Sequence, residues 1–259
     1  AEEDQAGDCH NKRARKQNGR PVNFPPRLTV WHLDVSKLIK RYDVAGPRYT
    51  SYPTAVQFND GFDAEAYRRH TAASNSELIP KPLSLYVHLP FCKSLCYYCG
   101  CNKIVTRNQA RVERYMEMLH KEILMQSELF DQSRQTRQLH FGGGTPTFHD
   151  DAQLKALMEQ LGRHFSLSRD DDREFSIEVD PHVTTREQLE LLRSMGYNRI
   201  SIGVQDFDYD VLSAVNRPQT EAEVRAVYDA CRELGFGGIN FDLIYGLPHQ
   251  DESTFEETI

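Results

Sequence analysis

The stretch LSLYVHLPFCKSLCYYCGCNK, residues 83–103, joins a predicted β-strand to four of the six cysteines in the chain. Residues 83–91 have the apolar, β-branched and aromatic side chains that are typical of a strand. Cys92, Cys96, Cys99 and Cys101 follow at intervals of four, three and two residues. Thiols this close in sequence are not ordinary core residues, so the loop after the strand is the first candidate for function.

A regular alternation of strands and helices follows this stretch. Further strands are predicted over 138–141, 174–180, 199–205 and 238–246, and helices over 111–130, 152–165, 185–196, 222–235 and from 252 onward. Thr184 or Thr185 is the expected N-cap of the helix over 185–196, and Gly196 is its expected C-cap. Such alternation indicates a parallel sheet with right-handed crossovers. The predicted fold is α/β, an incomplete parallel barrel of about five βα units preceded by an extended N-terminal arm.

Polar residues or glycines stand at the C-terminal tips of the predicted strands. They are His88, the glycines Gly142, Gly143 and Gly144, the acids Glu178 and Asp180, then Gln205 and Asp242. Enzymes built on βα barrels carry their active sites on this rim. Cys92 follows the first strand directly, so we expect the four thiols to face the other strand tips.

Three segments are predicted along the chain. Residues 1–35, with the basic cluster KRARK at 12–16, are expected to form a mobile tail. Residues 36–82 are expected to form an arm with a short helix over 36–42, and residues 83–259 the partial barrel. The arm contains GPRYTSYP, residues 46–53, whose Arg48 can meet an anion.

Composition narrows the function classes. The chain has 31 Lys and Arg against 38 Asp and Glu, a net charge of −7, which argues against general nucleic-acid binding. No apolar run approaches the roughly 20 residues of a membrane span, and the opening AEEDQ has no secretory signal character. We therefore expect a cytoplasmic protein with no nucleic-acid or membrane partner. Cys9 and Cys231 stand apart, and Cys231 is expected to be a buried, unreactive thiol.

Several chemistries compete for the four clustered thiols. A reducing compartment and a tight loop both disfavour disulfides. A structural zinc site commonly needs a second cysteine pair far along the chain, and a redox pair of Cys96 and Cys99 leaves Cys92 and Cys101 unexplained. The C-x₃-C-x₂-C spacing of Cys92, Cys96 and Cys99 suits three thiolates on a [4Fe–4S] cluster with one iron left open. We favour the cluster, and zinc and a redox pair stay as alternatives.

The same spacing after a first barrel strand resembles the radical S-adenosylmethionine (SAM) superfamily. Longer strings are more specific: GPRYTSYPTA, LSLYVHLPFC, LCYYCGCNKIVTR, FGGGTPT, SIEVDP, GVQDF, VNR and NFDLIYGLP occur in this order. Together they are similar to the oxygen-independent coproporphyrinogen III oxidase family of bacterial haem biosynthesis. The resemblance extends from about residue 36 to the last residue.

The resemblance implies a reaction and its cofactors. A [4Fe–4S] cluster on Cys92, Cys96 and Cys99 would reduce SAM, and the resulting radical would take a hydrogen from a propionate of coproporphyrinogen III. Loss of CO₂ and one electron leaves a vinyl group, and two rounds give protoporphyrinogen IX. The family implies two SAM molecules, a low-potential electron donor and a protein that is monomeric at full length.

The resemblance also implies roles for single residues, which stay expectations here. Cofactor contacts are implied for Tyr86, Tyr98, Gly143, Gly144, Thr145 and Glu178, second-SAM contacts for Gln205, Arg217 and Asp242, and substrate or proton handling for Tyr86, His88 and Arg48. Cys101 is typical of the family but is not an expected ligand. Each of these residues also fits a plain structural role, such as a turn, a solvated rim charge or a packed ring.

Two rival functions remain. A haem-chaperone relative shares the cluster loop, but it typically lacks the Cys-Gly-Cys ending and the GPRYTSYP arm that this chain has. A non-catalytic iron–sulfur or redox module would use the loop alone. The family's sixth barrel strand and C-terminal helical domain find no match here. Residues 1–259 alone are therefore expected to be poorly soluble or oligomeric, and inactive on coproporphyrinogen III.

The cysteine spacing gives a first prediction. Alanine at Cys92, Cys96 or Cys99 should abolish the visible absorption and the electron paramagnetic resonance signal of an anaerobically reconstituted cluster, because each removes one thiolate ligand. The control is Cys101→Ala, which should keep both signals. Loss of iron from Cys101→Ala to the same extent would show that the ligand set is wrong.

Overall fold

The computed structural model describes residues 54–259 and, before them, residues 37, 40, 41 and 43. Lys37, Lys40 and Arg41 are helical, within the helix predicted over 36–42. The rest of that helix, the tail over 1–35 and Arg48 lie outside the described residues. The chain divides between Asp60 and Gly61, and the sheet and the site described below belong to the unit Gly61–Ile259. The predicted domain boundary at residue 83 stays a prediction.

The elements alternate as the sequence predicts. The strands are β1 Leu83–Leu89, β2 Phe91–Cys92, β3 Ile104–Val105, β4 Gln135–Gly143, β5 Ser166–Leu167, β6 Glu174–Val179, β7 Arg199–Gln205 and β8 Gly238–Leu243. The α-helices are α1 Ala64–Asn75, α2 Gln109–Ser127, α3 Asp151–His164, α4 Arg186–Ser194, α5 Tyr209–Ala214, α6 Glu221–Glu233 and α7 Glu252–Thr258. Short 3₁₀ turns cover Ala55–Gln57 and Pro146–Phe148.

The main sheet has the order β1-β4-β6-β7-β8 within the described residues, and every neighbouring pair is parallel. The five strands occur in the same order along the chain as in the sheet, and at least one helix lies in every connection between them. The short β5 adds to β4, and β2 pairs with β3 in a separate ribbon. The predicted fold class, α/β with a parallel sheet in a partial barrel, is confirmed.

Side chains in the middle of the strands alternate between the two faces of this sheet. On β4, Leu139 and Phe141 are fully buried, whereas Gln138 and His140 lie on the opposite, wetter face. The apolar face joins the helices in one core, and β1, β6 and β7 show a similar alternation. Parallel sheets are commonly apolar on both faces, but here the second face carries polar side chains. On β8 the residues 240–243 are exposed, and β8 pairs with β7 alone among the described strands.

Helix ends follow local capping chemistry. Thr185 is the N-cap of α4 and accepts a hydrogen bond from the Gln188 backbone N–H, as predicted. The C-cap is Met195, and Gly196 follows it at φ 98°. Gly196 is therefore the residue after the C-cap, where a left-handed conformation favours glycine. The prediction was one position off for the C-cap, although it identified the residue that ends the helix.

Helices α1 and α5 were not predicted from the sequence. Helix α5 has six residues, and it begins after Asp208, which accepts hydrogen bonds from two backbone N–H groups. Helix α1 packs beside α2, where Tyr67 donates to Gln126 and Asn75 donates to the Leu129 carbonyl. Helix α5 is too short to show a helical period, and Tyr67 is the one large apolar side chain of α1, so both helices give a weak periodic signal.

Two further expectations concern the Cys231 thiol and membrane-spanning helices. Cys231 is fully buried on α6, and burial raises the pKa of its thiol to about 12, which confirms the expected buried thiol. No helix in the described part of the chain combines the length and the apolar character needed to cross a membrane.

Core packing gives a second prediction. Leu157 on α3 is fully buried, so Leu157→Ala should lower the free energy of unfolding by about 2–5 kcal/mol through lost contacts and a cavity. Leu124→Ala on α2 is the matched control, because Leu124 is 45% exposed, and it should cost less than about 1 kcal/mol. Urea unfolding measures both, and equal losses would contradict this assignment of the core.

Candidate functional site

A cavity of about 690 Å³ opens at the C-terminal ends of the strands. Its wall is formed by the cysteine loop, the turn after β4, and the residues at the ends of β6, β7 and β8. Its volume lies in the range of small-molecule sites, about 300–1,000 Å³. The structure brings these predicted residues together around it: Cys92, Cys96, Cys99, Tyr98, Gly143, Gly144, Thr145, Glu178, Gln205, Arg217 and Asp242.

The turn after β4 fixes the start of the cysteine loop. The Gly144 N–H donates to the Leu89 carbonyl at 2.9 Å, and the Thr145 N–H donates to the Phe91 carbonyl at 2.9 Å. A Cβ on Gly144 would lie 2.6 Å from the Pro90 carbonyl carbon, closer than atoms can approach. Only glycine allows this backbone contact, which holds the residue before Cys92 against β4.

The thiols lie close enough to affect one another. Burial raises the pKa of Cys92, a hydrogen bond from Thr145 opposes this, and Cys99 and Cys96 raise it further. Burial, followed by Cys99, raises the pKa of Cys101 to about 11. Thiolates here repel each other, so a cationic group among them would favour their ionised form.

The donor set on this wall is compatible with an iron–sulfur cluster. Among the described residues, no three His, Cys, Asp or Glu side chains converge on one metal position. A cubane cluster does not require such convergence, because each thiolate binds a different iron. Three mutually repelling thiols on one cavity wall meet the needs of that larger group.

Arg217 connects the cysteine loop to β6 and β7. Its Nη1 lies 2.9 Å from Asp180 Oδ2 and 3.8 Å from Cys96 Sγ, and its Nη2 donates to the Gly203 carbonyl at 2.9 Å. Burial lowers the pKa of Arg217, but Asp180, Tyr98 and Cys96 outweigh this and raise the pKa, so the guanidinium keeps its charge. Burial also raises the pKa of Tyr98, although Arg217 opposes the shift.

Gln205 and Asp242 lie on the same side of the cavity. Gln205 has φ 70° and is buried, and a Cβ on Gly203 would lie 2.9 Å from Gln205 Nε2 and 3.1 Å from Arg217 Nη2. Both side chains therefore pack over Gly203. Asp242 is exposed and accepts hydrogen bonds from Ser201 Oγ at 2.8 Å and Asn240 Nδ2 at 2.7 Å.

Tyr86 and His88 lie beside the cavity and are not part of its wall. Tyr86 is 59% exposed, stacks on the His140 ring, and lies 3.1 Å from His88 Nδ1 through its hydroxyl. Burial raises the pKa of Tyr86, and Glu178 adds to the shift. His88 Nε2 lies 2.7 Å from the Asn102 carbonyl, so this ring also braces the cysteine loop.

His140 is the residue that sequence reasoning missed. Its Nε2 lies 3.2 Å from Glu178 Oε1, and Glu178 Oε2 accepts the Gly143 N–H at 3.0 Å. His140 thus holds the carboxylate of Glu178, the residue before the last of β6. The alternation along β4 could have found it, because His140 lies two residues before Gly142 on the face that leads to the rim.

Comparisons with known proteins agree with this geometry. The family model "Radical SAM superfamily" matches residues 86–259. The chain is 48% identical over 229 residues to the oxygen-independent coproporphyrinogen III oxidase of Pseudomonas aeruginosa, covering 88% of this chain and 49% of the relative. It is 47% identical over 222 residues to the Escherichia coli protein of the same name, covering 86% of this chain and 47% of the relative.

A solved structure gives the same result. The coproporphyrinogen III oxidase from Escherichia coli, described as a radical SAM enzyme, superposes with a TM-score of 0.76 at 46% sequence identity. The match covers 86% of this chain and 48% of that chain. The resemblance predicted from the sequence is confirmed, and the chain spans about half the length of the curated relatives it matches.

The close contact at Gly144 gives a third prediction. Gly144→Ala should push the backbone at Pro90 and Phe91 outward and displace Cys92, so iron bound after reconstitution should fall severalfold. The control is Gly237→Ala at the far end of the sheet, where the nearest atom to a new Cβ is at 3.9 Å. The measurement is the iron content per chain after reconstitution. Full iron loading of Gly144→Ala would mean that the contact does not position Cys92.

Proposed function

Because the chain belongs to the radical SAM superfamily, we propose that it acts in the oxygen-independent oxidation of coproporphyrinogen III. The reaction would convert two propionate side chains to vinyl groups and yield protoporphyrinogen IX, in porphyrin and haem biosynthesis. The observation that carries the proposal is the single cavity shared by the Cys92, Cys96 and Cys99 thiols, the turn after β4 and Glu178. The relatives of this name, 48% and 47% identical, support the choice of substrate.

Cys92, Cys96 and Cys99 are the proposed ligands of a [4Fe–4S] cluster. When bound, the cluster and SAM supply an electron and an organic radical able to remove hydrogen from an unactivated carbon. The protein holds the three thiols in register: Thr145 Oγ1 lies 3.7 Å from Cys92 Sγ, and the Cys99 N–H donates to the Cys96 carbonyl at 3.1 Å. Cys101 is left as a thiol that is not a ligand.

Glu178 is the proposed partner of the SAM amine or ribose hydroxyls. Its carboxylate is at the cavity wall, where the Gly143 N–H and His140 fix its two oxygens. An ionised carboxylate held in this way accepts a charge-assisted hydrogen bond from an ammonium group. Gly143, Gly144 and Thr145 would then hold the methionine part of SAM, and the Tyr98 ring would be available to its adenine.

A second SAM molecule is proposed beside Gln205, Arg217 and Asp242. Arg217 has five N–H groups, and its contacts with Gln219, Cys96, Asp180 and the Gly203 carbonyl use four of them. One N–H on Nη2 has no partner within the described part of the chain and is available to a carboxylate. Asp242, exposed on β8, suits a hydroxyl or cationic group of the same ligand.

The rest of the proposal concerns the substrate, the electron donor and the cellular location. Tyr86 and His88 are proposed to meet the substrate or its protons, because both lie on the polar face beside the cavity. A low-potential one-electron donor is required, and the reducing cytoplasm is the proposed location because the ligand cysteines must be thiolates.

SAM binding provides the test and the fourth prediction. SAM should change the spectrum of the reconstituted cluster and, with dithionite, release methionine. Glu178→Gln should weaken the SAM effect about 10-fold or more, since a hydrogen bond to a charged group contributes about 1.5–3 kcal/mol. Glu174→Gln is the control, because Glu174 begins the same strand at its other end and should bind SAM normally.

The results of the SAM experiment distinguish a radical SAM function from a redox module. A spectrum that saturating SAM leaves unchanged would rule out the radical SAM function and favour a redox module. Cleavage of SAM with equal affinity in the two Glu variants would retain the function and reject the role of Glu178.

A further inference from the structure

We propose that Arg217 raises the reduction potential of the iron–sulfur cluster by donating an N–H to the Cys96 sulfur, and that Asp180 is the positioning residue that holds the guanidinium there. The inference rests on the proposed function, since it requires a cluster on Cys92, Cys96 and Cys99. It goes beyond that function, because it gives Arg217 a role that does not depend on SAM.

The guanidinium is held from three directions. Asp180 Oδ2 accepts from Nη1 at 2.9 Å, the Gly203 carbonyl accepts from Nη2 at 2.9 Å, and Gln219 Oε1 accepts from Nε at 3.1 Å. The Arg217 and Asp180 side chains are 11% and 18% exposed. Gln219 is itself buried and donates to the Val204 carbonyl. These contacts leave the second Nη1 hydrogen directed at Cys96 Sγ, 3.8 Å away.

The segment before Arg217 is also attached to the cysteine loop. The Tyr97 N–H donates to the Val215 carbonyl at 3.0 Å. Asn216, at φ 55°, donates from Nδ2 to the Leu95 carbonyl at 2.7 Å. Residues 215, 216 and 217 therefore contact residues 97, 95 and 96, respectively, so both neighbours of Cys96 are held by the segment that carries Arg217. Because three neighbouring contacts join the two segments, the approach of Arg217 to Cys96 does not depend on one flexible side chain alone.

The sign of the effect follows from charge. Reduction adds one electron, supplied by an external reductant, to a cluster that already carries thiolate charge. A cation and an N–H directed at a ligand sulfur stabilise the reduced form more than the oxidised form, which raises the potential. The pair is mostly buried, so water screens this interaction less than it would at an exposed site.

A purely structural ion pair is the competing explanation. It would make Arg217 and Asp180 important for folding and for holding the loop, with no effect on an intact cluster. A role limited to binding a SAM carboxylate likewise predicts no effect when SAM is absent. The potential of the SAM-free cluster is therefore the property that separates these explanations.

The experiment is a reductive titration of the SAM-free, reconstituted chain with dithionite and mediators, followed by the paramagnetic signal of the reduced cluster. Iron and sulfide per chain are measured in every sample to establish that the cluster is intact. Arg217→Met should titrate at a more negative potential than the unchanged protein. Arg186→Met is the control for a distant charge: Arg186 is an exposed ion-paired arginine on α4, and its loss should leave the potential unchanged.

Asp180 is tested by a double-mutant cycle. The shift in reduction potential caused by Arg217→Met is measured in the unchanged protein and again in an Asp180→Asn background. The effect of the Asp180 charge itself on the cluster is then the same before and after each Arg217 substitution, and it cancels. If Asp180 positions the guanidinium, the shift should shrink by at least half in that background. Equal shifts in the two backgrounds would reject the positioning role.

The remaining outcomes are also decisive. If Arg217→Met fails to retain iron, Arg217→Gln, which also removes the charge, should show the negative shift. A variant with an intact cluster and an unchanged potential would overturn the inference while leaving the proposed function in place. Failure of the unchanged protein to bind any cluster would instead overturn the proposed function.

Discussion

The alternation of side chains along the parallel strands is the constraint on which the rest of the structure depends. Odd-numbered positions such as Leu139 and Phe141 on β4 are buried against the helices, and the even-numbered His140 between them faces the polar side. A slip of one residue would exchange the two faces completely. Core packing therefore fixes the register, and the same register brings Tyr86, His140 and Glu178 together at one end of the sheet.

Close backbone packing fixes the positions of the loops that follow these strands and form the site. Gly144 touches the backbone of Pro90 and Phe91, so the end of β4 is packed directly against the start of the cysteine loop. At the end of β7, Asp206 is fully buried and accepts from Thr258 on α7 at 2.8 Å and from Gln250 at 2.5 Å. Each rim loop is thus attached to a neighbouring strand or helix, and the cavity wall is assembled from parts distant in sequence.

Local chemistry explains what could be predicted from the sequence. Strand β7 was predicted with its observed limits, Arg199–Gln205, because its apolar residues recur at every second position within one short stretch. The thiol loop and the glycine turn were found for the same reason. The contact of Arg217 with Cys96 spans 121 positions, and its geometry depends on Asp180 directly after β6 and on Gly203 of β7. No local pattern carries that information, and the six residues of helix α5 are too few to show a helical period.

The environment of each proposed ligand argues against a function for the loop alone. Cys92 is approached by Thr145 after β4, Cys96 by Arg217 after α5, and the Cys99 carbonyl by Lys103 Nζ at 2.7 Å. Two of these donors come from elements outside the loop. A redox module that used only the loop would lack both, and its thiols would lose the cation and the hydroxyl that offset their mutual repulsion. The barrel is therefore part of the electrostatic environment of the thiols as well as their support.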